Sequence, residues 1–230
     1  MLKNIKVIAF DADDTLWVNE TYFREAEHEF AKLLSKYETE NKIDQELFKK
    51  EIENLHWYGY GIKGFVLSMV ECALELSNYQ IHPKTIEAIL GIGKEMLEKP
   101  IVLLQGVEEV LQALQNKFKL IVATKGDLLD QERKLEKSNL LKYFHHVEVM
   151  SDKKEKDYKK LVNHLDIHPS ELLMIGNSLK SDVLPLIEIG ASAIHIPFHT
   201  TWAHEEVSEQ ESSQTKYNTL TNIKDVLRFI

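Results

Sequence analysis

Lys6-Val7-Ile8-Ala9-Phe10 runs directly into Asp11-Ala12-Asp13-Asp14-Thr15-Leu16, and the fold is decided at this junction. A nearly continuous apolar run of this kind is expected of a strand buried on both faces of a parallel sheet, because a strand with one wet face alternates instead. It ends abruptly in acids. Asp11 and Asp13 stand where the chain leaves the strand, separated by one residue, so both can face one site. Two close carboxylates repel, and one is pushed towards protonation unless a cation neutralises them. The pair therefore points to acid/base work or to a bound metal, whereas acids in a loop can also be plain turn formers.

Working outward, the same apolar pattern recurs at Leu120-Ile121-Val122-Ala123, Val147-Glu148-Val149-Met150, Leu172-Leu173-Met174-Ile175 and Ala193-Ile194-His195-Ile196. Five candidate strands result. Between them lie segments of helical periodicity, such as Val107-Val110-Leu111-Leu114 and Tyr158-Leu161-Val162-Leu165. Strands alternating with helices predict an α/β fold with a doubly wound, Rossmann-like parallel sheet and right-handed crossovers. Ligands of such sheets bind beyond the carboxyl ends of the strands, so function is sought in the residues that end them.

From Trp17 to Lys99 this rhythm breaks. Phe23-Ala26-Glu27-Phe30-Leu33-Leu34, Phe65-Met69-Cys72-Ala73-Leu76 and Ile86-Ile89-Leu90-Gly93-Leu97 each read as a helix, and no convincing strand intervenes. Pro83 suits the start of the third helix and Pro100 its stop. The expected organisation is a core domain of residues 1–16 and 100–230 with an α-helical domain at 17–99 inserted. His56-Trp57-Tyr58-Gly59-Tyr60-Gly61-Ile62-Lys63-Gly64 is expected between helices, as a specificity loop or as packing. A closing helix is expected over Thr221 to Ile230, after a polar loop from Glu205 to Lys216.

At 230 residues, 43% hydrophobic and 28% charged, the chain buries a full core without disulfides. Its net charge of -9 opposes binding to nucleic acid. The single cysteine, Cys72, lies among apolar residues as a buried, inert thiol. No run is long enough for a signal peptide or a membrane span, which makes the cytoplasm the default compartment. His195, His199, Trp202 and His204 fit no dedicated zinc spacing and read better as a loop near the mouth of a site.

An apolar strand followed by Asp-x-Asp-x-Thr resembles the first motif of the haloacid dehalogenase superfamily. The family's other motifs follow in order. The second strand ends in Thr124, followed by Lys125-Gly126; Ser151-Asp152-Lys153-Lys154-Glu155-Lys156 offers three lysines; Ile175-Gly176-Asn177-Ser178 leads to Asp182. Lys153 stands nearest the strand end, with Lys154 and Lys156 as alternatives. Each assignment has a plainer counterpart: Thr124 as a helix cap, Asp182 as a first-turn acid, the lysines as a solvated face.

The resemblance implies a phosphatase that uses Mg²⁺. Asp11 is then the nucleophile that forms an aspartyl-phosphate and Asp13 the general acid and base. Thr124, Lys125 and Lys153 contact the substrate. Asp11, Asp13 through its carbonyl, Asn177 and Asp182 are the candidate metal ligands. Asn177 departs from the family's usual Gly-Asp by lacking a negative charge. Family members carry a helical cap where the insert falls, which implies a small phosphorylated metabolite as substrate rather than a folded protein. Asp13 argues against a 2-haloacid dehalogenase, because halide leaves without a proton. A phosphotransferase stays open, as do a receiver-like phosphoprotein and a member that has kept the site but lost the reaction.

Overall fold

The computed structural model describes residues 2, 4–208 and 217–230. The chain divides into two compact units: Met1–Glu20 with Ile101–Lys125 and Glu132–Ile230, and Thr21–Pro100 with Gly126–Gln131.

The first unit is built on a parallel sheet of six strands: β1 (Val7–Phe10), β2 (Lys119–Lys125), β3 (His146–Met150), β4 (Leu172–Gly176), β5 (Ser192–His195) and β6 (Asn218–Thr219), in the order β3-β2-β1-β4-β5-β6. β1 thus lies between the two strands that carry the other motifs, with Phe10 paired to Val122 of β2 and to Ile175 of β4. Side chains alternate across this buried sheet as the pleat requires. Ile8, Phe10, Leu120, Val122, Leu173 and Ile175 enter one core, and Val7, Ala9, Ile121, Ala123, Leu172 and Met174 enter the other. Each large side chain fully removed from water contributes ~1.5–3 kcal/mol, so the two cores hold the strand ends in a fixed register.

Helices of this unit take their places by periodicity. In α5 (Val107–Leu114) the buried residues are Val107, Val110, Leu111 and Leu114, and in α7 (Glu155–His164) they are Tyr158, Leu161 and Val162. α8 (Leu184–Glu188) follows a π-helical turn over Leu179–Val183. The expected closing helix is instead a short 3₁₀ helix, Ile223–Arg228. Its two buried residues, Ile223 and Val226, are three apart, which a three-residue turn aligns on one side. The polar stretch after Glu205 lies outside the described residues from 209 to 216.

Trp17 belongs to the sheet unit, not to the insert. It is fully buried in the core with Phe10, and the backbone beside it pairs with the returning chain, Val18 N–H donating to the Val102 carbonyl at 3.0 Å and Leu104 N–H to Leu16 at 3.0 Å.

The second unit holds four helices, one more than the periodicity suggested: α1 (Glu20–Leu34), α2 (Glu40–Tyr58), α3 (Ile62–Leu76) and α4 (Pro83–Glu98). The unforeseen α2 buries only Ile43, Leu47 and Asn54, a narrow stripe with a polar member. Asn54 is satisfied there by Ser68 at 3.2 Å and Glu71 at 3.1 Å, so a helix face lacking an apolar signal still packs. The aromatic segment is not one loop. His56-Trp57-Tyr58 is the last turn of α2 and Ile62-Lys63-Gly64 the first of α3; the break is confined to residues 59–61, where Gly59 and Gly61 take φ of 68° and 104°. In the same unit Lys63 pairs with Asp127 at 2.9 Å, just ahead of α6 (Leu128–Ser138). Cys72 is buried, and burial pushes its thiol up to about 12, which keeps it inert. No helix among the described residues is long and apolar enough to cross a membrane.

Candidate active site

Asp11 extends β1 by one residue, its N–H donating to the Ile175 carbonyl of β4 at 2.9 Å. Its carboxylate is buried and divided between two surroundings. Lys153 Nζ donates to Oδ1 at 2.5 Å and also to Asp182 Oδ1 at 2.7 Å, with all three side chains withdrawn from water. Oδ2 accepts from Thr15 Oγ1 at 3.2 Å. On that same side, the end of the Asn177 amide lies 3.1 Å from Asp11 Oδ2, 3.2 Å from the Asp13 carbonyl and 3.2 Å from Thr15 Oγ1.

That corner tests for a cation. If the Asn177 oxygen points in, it meets the Asp11 and Asp13 oxygens at hydrogen-bond distance with only the Thr15 hydroxyl to soften the contact. If the nitrogen points in, its two N–H groups are offered to these three acceptors. The corner thus gathers oxygen atoms that either a donor or a hard divalent ion would suit, since hard ions take oxygen ligands. Among the described residues no group of three or more His, Cys, Asp or Glu side chains forms a metal cage. The donor set here mixes a carboxylate, a backbone carbonyl and an amide.

Burial is the largest influence on Asp11 and pushes it up to about 7; Lys153 opposes this, while Asp182 and Asp13 reinforce it. For Lys153 burial works downwards, but the charges of Asp11 and Asp182 outweigh it and hold the ammonium above its ordinary range. Of the three candidate lysines, Lys153 is the one drawn into the site; Lys154 pairs with Asp152 at 2.7 Å on the surface, and Lys156 is exposed.

Asp182 sits on the Lys153 side, its Oδ2 accepting from Ser178 N–H at 3.0 Å. It is packed so closely against Gly176 that a Cβ there would lie 2.3 Å from Asp182 Oδ2 and 2.6 Å from its Cβ, so the residue ending β4 must be glycine. Asn177 is supported from β5: His195 Nε2 lies 3.0 Å from the Asn177 carbonyl, which can only accept, so Nε2 carries the proton. Burial holds that ring below its ordinary pKa, against the pull of the carbonyl.

Asp13 points elsewhere. Its Oδ1 accepts from Trp17 Nε1 at 2.8 Å and from Lys134 Nζ at 3.0 Å, and Lys134 also donates to Asn19 Oδ1 at 2.8 Å. Asp14, at φ 59°, accepts from the N–H groups of Asn19 at 2.8 Å and Glu20 at 3.0 Å, which caps the start of α1. Thr124 is buried one residue before the end of β2, its hydroxyl donating to the Lys125 carbonyl at 3.3 Å. Lys125 is turned to Ser181 Oγ at 2.9 Å and Glu205 Oε1 at 2.6 Å.

Asp11, Lys153, Asn177, Asp182 and the Asp13 carbonyl therefore meet at the carboxyl ends of β1 and β4. Thr124 lies one residue before the end of the neighbouring β2, with its hydroxyl turned to the Lys125 carbonyl. Lys134, Glu205, Ser178, Ser181 and the supporting role of His195 escaped the sequence. Lys134 meets Asp13 across 121 positions and Glu205 meets Lys125 across 80, and no local pattern marks either.

A parallel sheet with acids at the carboxyl ends of its central strands defines an α/β hydrolase core of the haloacid dehalogenase kind. A family model described as haloacid dehalogenase-like hydrolase matches residues 5–190, and the chain belongs to that family. A haloacid dehalogenase-like family hydrolase from Xanthomonas campestris is 37% identical with a TM-score of 0.82, over 91% of this chain and 88% of that one. The N-acylneuraminate-9-phosphatase of Homo sapiens is 27% identical over 203 residues, 84% of this chain and 82% of the relative. A hydrolase of Bacillus subtilis, solved bound to magnesium, shares the fold at 15% identity and a TM-score of 0.67, over 99% of both chains.

Proposed function

We propose that this hydrolase is a Mg²⁺-dependent phosphatase that acts on a small phosphorylated metabolite through an aspartyl-phosphate on Asp11. The observation that supports this best is the divided carboxylate of Asp11, with Lys153 on one oxygen and a corner of oxygens on the other. Asp11, the Asp13 carbonyl and Asn177 would hold the ion, with Asp182 braced behind Lys153. When bound, Mg²⁺ supplies positive charge that offsets the phosphate's own and lets an anionic nucleophile approach.

Asp11 attacks phosphorus while the bond from phosphorus to the ester oxygen breaks, and Asp13 gives its proton to that leaving oxygen. Asp13 then takes a proton from the water that attacks phosphorus, and Asp11 is released as a carboxylate. Trp17 and Lys134 hold one oxygen of Asp13 still through both steps. Thr124 and Lys153 bind phosphoryl oxygens. The phosphatase relative supports this chemistry, as does Asp13, whose proton a halide would not need. The helical insert, Thr21–Pro100, acts as the cap that admits the substrate, and the enzyme works in the cytoplasm without nucleic-acid or membrane partners.

The test is phosphate release from an aryl phosphate, with and without Mg²⁺, beside Asp11→Asn. Release that needs the metal and falls at least ~10⁴-fold in the variant is expected. Turnover retained by Asp11→Asn, or by the wild type in EDTA, would sink the proposal.

A further inference from the structure

The acid of one turn, far from the motifs in sequence, is tied to both loops that flank Asp11. After β5 the chain makes a 3₁₀ turn, Ala203–Glu205, closed by Glu205 N–H donating to the Trp202 carbonyl at 2.8 Å. Glu205 Oε1 accepts from Lys125 at 2.6 Å, while Oε2 accepts from Ser178 Oγ at 2.5 Å and Ser181 Oγ at 2.6 Å. Lys125 Nζ also donates to Ser181 Oγ at 2.9 Å, which closes the ring of contacts. A second tie fastens the same turn: Lys180 Nζ donates to the His204 carbonyl at 2.6 Å.

Every partner of Glu205 is one residue away from a proposed site residue. Lys125 follows Thr124, Ser178 follows Asn177 and Ser181 precedes Asp182. In the sheet order β2-β1-β4 these partners leave the two strands on either side of Asp11, about 10 Å apart at ~4.8 Å per strand. The Lys125 side chain reaches across that gap to Ser181, and the Glu205 carboxylate ties its end to both serines. A partly buried ion pair is weak evidence for stability, since apolar residues of similar volume often serve as well or better. Its placement on both flanks of the nucleophile calls for a different account.

We propose that Glu205 is a positioning residue: through Lys125, Ser178 and Ser181 it sets the spacing between the loop of Thr124 and the loop of Asn177 and Asp182, and so the width of the phosphoryl pocket. Lys125 is then a brace rather than a direct substrate contact. This rests on the phosphatase chemistry proposed above.

The experiment is a double-mutant cycle of Lys125→Met and Glu205→Gln, the latter keeping shape but removing the charge and one of the two accepting oxygens. It is read in kcat and KM for an aryl phosphate and, independently of turnover, in the Mg²⁺ dissociation constant by calorimetry. Supporting groups of this kind are worth ~10–100-fold, so Glu205→Gln is expected to lower kcat at least about tenfold with a smaller change in KM, and to weaken Mg²⁺ binding. The double variant should be no worse than the poorer single one, because both act through one contact. Unchanged kcat and unchanged Mg²⁺ affinity in Glu205→Gln, or losses that simply add in the cycle, would overturn the proposal. A wild-type enzyme that releases no phosphate would overturn the phosphatase chemistry instead, and the cycle in Mg²⁺ affinity would still judge the brace.

Discussion

Two lysines stand at or beyond strand ends in the sheet unit, each paired with a carboxylate largely withdrawn from water, and the two pairs come out opposite. Burial works against both acids. At Glu205 it is outweighed by Lys125 and by the hydroxyls of Ser178 and Ser181, and the carboxyl is held down at about 2. At Asp11 burial prevails over Lys153, because Asp182 and Asp13 add negative charge nearby, and the carboxyl is pushed up to about 7. The difference lies in the company, not in the lysine. Glu205 has Lys125 and two hydroxyl donors around it; Asp11 shares Lys153 with Asp182. A satisfied acid braces, whereas an under-neutralised one is poised to take up positive charge or to react.

The contrast breaks most sharply at Lys153. Lys153→Met leaves Asp11 and Asp182 buried without a cation, which should cost about 3–5 kcal/mol by urea titration and lower kcat by ~10³-fold. Lys125→Met should cost less, because Glu205 keeps its two serines. Equal losses would erase the distinction.

Stability against pH sharpens it next. The folded pKa of Glu205 is depressed from 4.5 to about 2, so its contribution is complete above pH 4.5 and is lost as pH falls towards 2. Glu205→Gln should therefore be less stable than the wild type above about pH 5, by at most ~3 kcal/mol, with the gap closing under acid. For Asp11 the sign reverses. Its folded pKa is raised from 3.8 to about 7, so the folded state binds the extra proton and stability falls as pH rises through that window. Metal-free Asp11→Asn should be the more stable protein above pH 7; thermal melts in EDTA at about pH 5 and 8 read this sign, and melts of Glu205→Gln at about pH 3 and 5 read the other.

Asp14 gives the smallest effect. Backbone N–H groups of Asn19 and Glu20 hold its carboxyl, and removing that cap with Asp14→Ala should cost ~1 kcal/mol, read as a shift in the urea midpoint without a change in slope.

The same contrast explains what was legible beforehand. Asp11, Thr124, Lys153 and Asn177 stand at or just beyond the ends of strands whose apolar runs announce themselves, and the order of the motifs supplied the rest. Glu205 stands in a turn with no periodicity, and its importance is visible only once β2 and β4 are known to flank β1. Lys134 lies on α6 and reaches Asp13 only through the fold. In the helical unit α2 was missed for a related reason: Asn54 fills a buried position that a hydrophobic pattern would leave blank. Sequence periodicity records what faces an apolar core, and these residues face polar partners brought from elsewhere in the chain.

Gly176 carries a further consequence. With Asp182 lying where its Cβ would be, even alanine forces that aspartate, and with it Lys153, to move. In a survey of random variants scored by activity, position 176 would be as intolerant as Asp11 although it has no functional group at all. A missing methyl group is here as much a part of the site as any side chain that lines it.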